Sequence, residues 1–231
     1  RSSAASDVYK RQAFRSDGKM MVSRIADKTF MGKDIVHVGV WKKGDDRMVY
    51  NMIYSDPKSG KNYGKRFSVT SITRDKEYDL TKGDPKSKAL YFTANPNGES
   101  EVVTIYLSQG SKARKKFFDF DFSEIGIKVS GSQGNIISRY PVRKVVQKEI
   151  GKSTLGGRDI WYDDIVGRLN TEERGTKLGS FNTGDLILVL YKDGSYEQTN
   201  FELTNHYDVN NIWEIQKFDP TTVISAIHYD G

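Results

Sequence analysis

The sequence predicts an all-β, propeller-like array of blades about 40 residues long. Three observations carry that expectation. Glycine-bearing turns recur between β-branched or aromatic runs at Gly18, Gly60, Gly98, Gly134, Gly194 and Gly231. Their spacing is about 36 to 42 residues, with one longer gap between Gly134 and Gly194. Aromatic residues make up 12% of the chain against an apolar content of 36%, a balance that suits many short, half-buried strands. Few windows carry a 3.6-residue apolar period, so helices are not expected. A β-sandwich would return a strand every ~8–12 residues without the longer self-similar unit.

Taken in order, Arg1–Gln12 fits no blade and reads as a non-native leader. Residues 13–231 then form the blade domain, a fragment cut at both ends and holding about five blades. The first hairpin, Ala13–Val22, turns at Asp17-Gly18, and the second runs through Ile53–Gly60. Tyr91–Gly98 and Ile127–Ile137 supply the third and fourth, Leu188–Tyr196 the fifth and Ile227–Gly231 the sixth. The long gap is assigned to an insertion in one blade over the polar stretch Trp161–Thr176. Trp41, Trp161 and Trp213 are expected to pack between blades.

Several chemistries are excluded. The chain has no Cys, hence no disulfide or thiolate metal site, in keeping with a reducing, cytoplasmic setting. No run of about 18 apolar residues is present to span a membrane. Gly151-Lys152-Ser153-Thr154 resembles the end of a phosphate-binding loop, but Val146 stands where that motif needs Gly. Asp119 and Asp121 alternate with Phe118, Phe120 and Phe122, which reads as the wet face of a half-buried strand rather than a metal site. The three His residues, His37, His206 and His228, are scattered without ligand spacing. No catalytic or metal-binding residue is assigned, and no cofactor is expected in this chain.

Charge is the informative property. The net charge is +6, and Ser111–Lys148, with Lys or Arg at 112, 114, 115, 116, 128, 139, 143, 144 and 148 against Asp119, Asp121 and Glu124, accounts for all of it. A localised positive field is what binding a polyanion requires, because each cation that meets a phosphate releases a condensed counterion. Smaller basic groups lie at Lys42-Lys43, at Lys61 with Lys65-Arg66, and at Lys82, Lys86 and Lys88. The other reading is a propeller scaffold for protein partners, which would favour an aromatic or acidic face over a one-blade basic excess.

Asn182–Gly194 is an acidic residue entering an apolar strand that ends at a Gly turn; Ile125–Lys128 followed by Gly131–Ile136 is a basic segment followed by a glycine hairpin. With Gly60–Phe67 and Ser71–Leu80, these segments resemble the C-terminal domain of the A subunit of bacterial type IIA DNA topoisomerases, gyrase A and its topoisomerase IV counterpart. The resemblance implies a β-pinwheel whose rim binds and bends duplex DNA with little base readout, and without catalytic residues of its own. It further implies an ATP-dependent parent isomerase with ATP and Mg²⁺ bound in other parts. Its partners would be duplex DNA, a second A subunit and the ATPase B-type subunit, in the cytoplasm on the nucleoid. The expected DNA contacts are Lys112, Arg114, Lys115, Lys116, Lys128, Arg139, Arg143 and Lys144, with Lys42, Lys43, Lys61, Lys65 and Arg66 on adjoining blades.

Three departures bear on that implication. No Gln-Arg-Arg-Gly-Gly-Lys-Gly box is present, which favours a topoisomerase-IV-like role. Val129-Ser130 stands where the family's hairpins often carry Arg. Arg139-Tyr140 superficially matches the family's nucleophilic pair, but Pro141 follows at once, and Tyr140 reads as a structural strand residue.

Overall fold

The computed structural model describes residues 10–25, 29–225 and 227. Within them the regular structure is β-strand, apart from one 3-10 turn at Phe122–Glu124. The chain divides into two units, Arg1–Leu155 and Gly156–Gly231.

In the first unit, β1 (Lys10–Arg15) and β2 (Lys19–Arg24) form a hairpin, and β3 (Ile35–Val40) returns on the far side of β1. β4 (Val49–Asp56) and β5 (Lys61–Ser68) repeat the hairpin. β6 (Glu77–Asp79) then reaches back to pair with β2, and β7 (Lys88–Asn95) closes the free side of β4. β8 (Val102–Leu107) and β9 (Phe117–Asp121) form the third hairpin. β10 (Ile127–Val129) and β11 (Asn135–Ser138) reach back to β5, parallel and antiparallel respectively, before β12 (Val142–Glu149) returns to β8.

The second unit holds two sheets of the same kind. β13 (Arg158–Asp163) is flanked by β14 (Arg168–Asn170) and β15 (Thr176–Phe181). β16 (Ile187–Tyr191) is flanked by β17 (Tyr196–Thr199) and β18 (Ile212–Lys217).

One rule therefore builds all five sheets. The first strand is central, the second turns back beside it, and the third takes the opposite edge. Where the link between second and third strands is long, it reaches back as a strap onto the second strand of the preceding sheet: β6 on β2, β10 and β11 on β5, and a bridge from His206 to Arg168 in β14. The link between β14 and β15 is short. Asn170 organises it, its Oδ1 accepting from the Glu172 and Arg174 amides.

Apolar alternation explains the packing. Phe14, Met20, Val22, Trp41, Tyr50, Met52 and Phe67 form a core between the first two sheets. Ile53, Val103, Ile105, Leu107 and Phe122 form another between the second and third. Ile160, Tyr162, Leu169, Phe181, Ile187 and Val189 do the same in the second unit. Each aliphatic or aromatic side chain so buried contributes about 1.5–3 kcal/mol. A polar knot joins the second and third sheets. Glu101, wholly buried, accepts from Asn51 Nδ2 at 2.9 Å, from Gln147 Nε2 at 2.8 Å, and from the Tyr91 and Thr93 hydroxyls. A buried carboxylate needs such a set of donors.

The all-β class and the repeating small sheets agree with the sequence reading. Turns at Gly18, Gly60 and Gly194 close hairpins, each glycine at a φ of +76°, +65° and +83° that a side chain would strain. Four expectations are corrected. Lys10–Gln12, expected to fit no blade, belong to β1, with Gln12 buried and accepting from the Tyr50 hydroxyl. Gly98 closes no hairpin, because β7 pairs with β4 and β8 with β9. The Gly131–Gly134 turn joins two strap strands that pair with β5 rather than with each other. Trp161–Thr176 is no insertion but part of a fourth sheet, from the end of β13 through β14 to the start of β15, whose turn glycine, Gly167, sits behind the apolar pair Ile165-Val166. Of the Trp residues, Trp41 is buried, whereas Trp213 is exposed. The sixth expected hairpin, Ile227–Gly231, lies outside the described residues except Ile227.

Candidate nucleic-acid interface

The basic residues separate into three fates, set by where each lies along its strand. In the first unit, the hairpin turns of the first three sheets lie at one end of their strands. Cross-links hold the neighbouring loops there: Ala89 N–H donates to Ser16 O at 2.7 Å, Asn62 Nδ2 to Tyr140 O at 2.8 Å, and Ser108 N–H to Pro141 O at 2.8 Å. The β4–β5 turn, the 108–116 loop and the 139–141 link thus share one end of the unit.

Exposed cations gather at that end: Lys112, Arg114, Lys115, Arg139, Arg143 and Lys144. Ala113 is buried in the second core and pins the middle of the loop, while Lys112 and Arg114 on either side stay in solvent. Lys116 Nζ donates to Ser111 O at 2.6 Å and fastens the loop across its base. Among the described residues, no carboxylate pairs with Lys112, Arg114, Lys115, Arg139 or Arg143. Lys144 Nζ lies 4.7 Å from the centre of the Tyr106 ring. Lys61, the first residue of β5, is half-buried at the same end. Lys148 is different. It pairs with Asp119 at 2.6 Å, and that contact holds the Asp119 carboxyl below its ordinary range, with help from the Thr104 hydroxyl.

Sequence reading missed Lys58 at the tip of the β4–β5 turn. Asp56 accepts from the Lys58 and Asp84 amides, so the exposed Lys58, Lys82 and Lys86 lie around that turn. The Asp-Pro-Lys-Ser-Gly turn signal carried this information, since the tip of a tight turn is solvated.

Lys65 and Arg66 are corrections. They are 1% and 2% exposed and reach no external ligand. β5 has β4 on one edge and both strap strands on the other, so sheet and strap together cover it. Lys65 Nζ donates to Leu80 O at 2.6 Å, Ser130 O at 2.6 Å and Ser132 O at 2.8 Å, and it sits over the Phe67 ring. Burial pushes its pKa down to about 7. Arg66 bonds Asn51 Oδ1 at 3.2 Å and Gly98 O at 3.0 Å. Burial lowers its pKa too, against the pull of Asp121, Glu101 and Glu99.

Lys128 stays partly exposed on the strap, where its Nζ bonds Asn135 Oδ1 at 2.7 Å. Lys42 and Lys43 are exposed but belong to the opposite end of the strands, where Gly44 N–H donates to Thr70 O just beyond β5. They do not join the loop cluster.

The other candidate motifs are structural. Gly151–Thr154 folds back on the 97–100 turn, with Ser100 N–H donating to Lys152 O and Thr154 N–H to Gly98 O. Asp163 accepts from the Ile165 and Val166 amides in the fourth sheet's turn. Among the described residues, no group of three or more His, Asp or Glu could hold a metal ion. The same residues contain no helix long and apolar enough to cross a membrane.

The family model for the topoisomerase C-terminal domain of Bacteroidota matches residues 13–150 and 168–231. No curated protein matches the chain. Among solved structures, the C-terminal domain of DNA topoisomerase IV is similar at 10% identity and a TM-score of 0.44, covering 91% of this chain and 79% of that one.

Proposed function

From the premise that the chain belongs to the topoisomerase C-terminal domain family, we propose that it is a non-catalytic module that binds and bends duplex DNA for a type IIA topoisomerase. The observation that carries the reading is the cluster of unpaired cations at the loop end of the first unit. Lys112, Arg114 and Lys115 come from one loop, and Arg139, Arg143 and Lys144 from the adjoining link and strand. Two neighbouring loops of one charge offer phosphates a curved seat rather than a point. Contacts of this kind fix position and carry no base information. Bending a 20–30 base-pair segment costs roughly 1–6 kcal/mol, so several phosphate contacts are needed to offset it. In the parent enzyme the bent segment would be presented for strand passage, with ATP, Mg²⁺ and the B-type subunit acting elsewhere.

The test is binding to end-labelled duplex DNA across a salt series. Six phosphate contacts give a slope of log K against log salt of about −5, independent of sequence. Bending is read as a shortened distance between the labelled ends. A flat salt dependence with an intact fold would overturn the reading.

A further inference from the structure

We infer that the loop end of the third sheet also carries a stacking platform for an unpaired nucleobase, formed by Phe117 beside Tyr106 and Lys144. The inference rests on the proposed DNA-binding role and names a more specific ligand for the same site: a duplex with locally unpaired bases.

Three observations carry it. Position in the repeat is the first. The first residue of a sheet's second strand follows the hairpin turn; in three sheets it is a cation, Lys19, Lys61 and Arg168, and in the fifth it is the exposed Tyr196, which has no basic loop before it. In the third sheet the same position is Phe117, which is 61% exposed, immediately after the basic loop. Most of this large aromatic side chain is left in water beside lysines.

The second is a row across three strands. Phe117 pairs with Tyr106, and Tyr106 with Lys144. The Tyr106 and Phe117 ring centres are 5.9 Å apart, and Lys144 Nζ lies 4.7 Å from the Tyr106 centre. Tyr106 already has the cation beside it, so Phe117 is the ring with a free face. Val103, Ile105, Phe118 and Phe120, which alternate with this row, point into the core.

The third is charge. Lys112, Arg114 and Lys115 precede Phe117 in the chain and would hold the phosphates on either side of a base laid on its ring. Aromatic side chains set in a basic groove are the means by which proteins hold single strands, because every base has a π-face and stacking is tolerant of sequence. A fully paired duplex hides those faces, so Phe117 discriminates between paired and unpaired DNA while the cations do not.

The experiment compares the full chain with F117A and F117W on two probes. One is a fully paired duplex of about 30 base pairs, the other the same duplex with a central bubble of about six unpaired thymines. The expected result is wild-type binding about tenfold tighter to the bubble. F117A loses that preference while keeping wild-type affinity and salt slope on the paired duplex, and F117W retains it. Equal affinity for the two probes, or a preference that survives in F117A, overturns the platform and leaves duplex binding standing. Failure to bind either probe overturns the duplex reading and this one together. Since Phe117 is exposed, far-UV circular dichroism of F117A should match wild type.

Discussion

Two basic segments of similar sequence have opposite fates. Lys65-Arg66 in β5 is buried, Lys65 beneath the strap and Arg66 against the 97–100 turn, whereas Lys112, Arg114 and Lys115 stand in solvent on a hairpin loop. The difference teaches that charge density in a sequence locates a positive field only after strand neighbours are known. A lysine whose side chain lies under a strap becomes a structural donor to the strap's carbonyls, whereas one at a turn tip remains available to an anion.

The sharpest way to break the comparison is to remove the side chain in each segment. Lys65→Met leaves the Leu80, Ser130 and Ser132 carbonyls without their donor. Each stranded buried acceptor costs about 1–3 kcal/mol, so a loss of about 3 kcal/mol or more is expected. Lys115→Ala, in solvent, should stay within about 0.5 kcal/mol of wild type. Chemical denaturation of both variants decides the matter, and equal stabilities would mean that Lys65 is not the strap's fastening.

The same side chain gives a pH signature. Its folded pKa, about 7, lies below the ordinary lysine value of 10.5, so the unfolded chain binds more protons between them. The stability contributed by this group therefore rises as pH increases from about 7 and is flat below it. Asp79, which favours the proton, and Lys128, which opposes it, are the charged groups facing it. The pH dependence of wild type minus that of Lys65→Met isolates the effect.

In the exposed segment, the expected effect is on binding rather than on folding. Replacing Lys112, Arg114, Lys115 and Lys116 together by Ala should lower duplex affinity and make the salt slope shallower by about three units. Thermal unfolding should change little for the three exposed positions. Lys116 adds a small loss through its bond to Ser111. A variant that folds and binds with the wild-type slope would move the interface elsewhere.

How much of this was legible in the sequence depends on the range of the interactions involved. The Asp17-Gly18 and Asp193-Gly194 turns announce themselves locally, because a positive φ at the glycine and an aspartate accepting from the following amides are short-range requirements. The Phe118/Phe120 alternation with Asp119 likewise gave the facing of β9. The straps were not legible. Nothing local in Ile127–Val129 says that it will lie parallel to Arg66–Ser68, since that pairing joins residues about sixty positions apart and depends on the finished second sheet. Missing the straps and the packing they bring is what misplaced Lys65 and Arg66 in the site. The fourth sheet was missed for another reason: Ile165 and Val166 occupy its turn, where turn chemistry favours polar residues, and mask the cues from Asp163 and Gly167 on either side.

The smallest expected effect concerns the boundary between the two fates. Lys148 lies on the exposed side of β12, as Lys144 does, but Asp119 neutralises it at 2.6 Å. It is available in position and unavailable in charge. Asp119→Asn removes the carboxylate and leaves a neutral side chain of nearly the same shape, so Lys148 becomes free to meet a phosphate. Duplex affinity should rise modestly, and the salt slope should steepen by about one unit, the contribution of one added contact. Stability should change little, because exposed ion pairs contribute little. If the slope stays at its wild-type value in this variant, the duplex does not extend along β12 as far as Lys148, and the seat is confined to the 108–116 loop and the 139–144 segment.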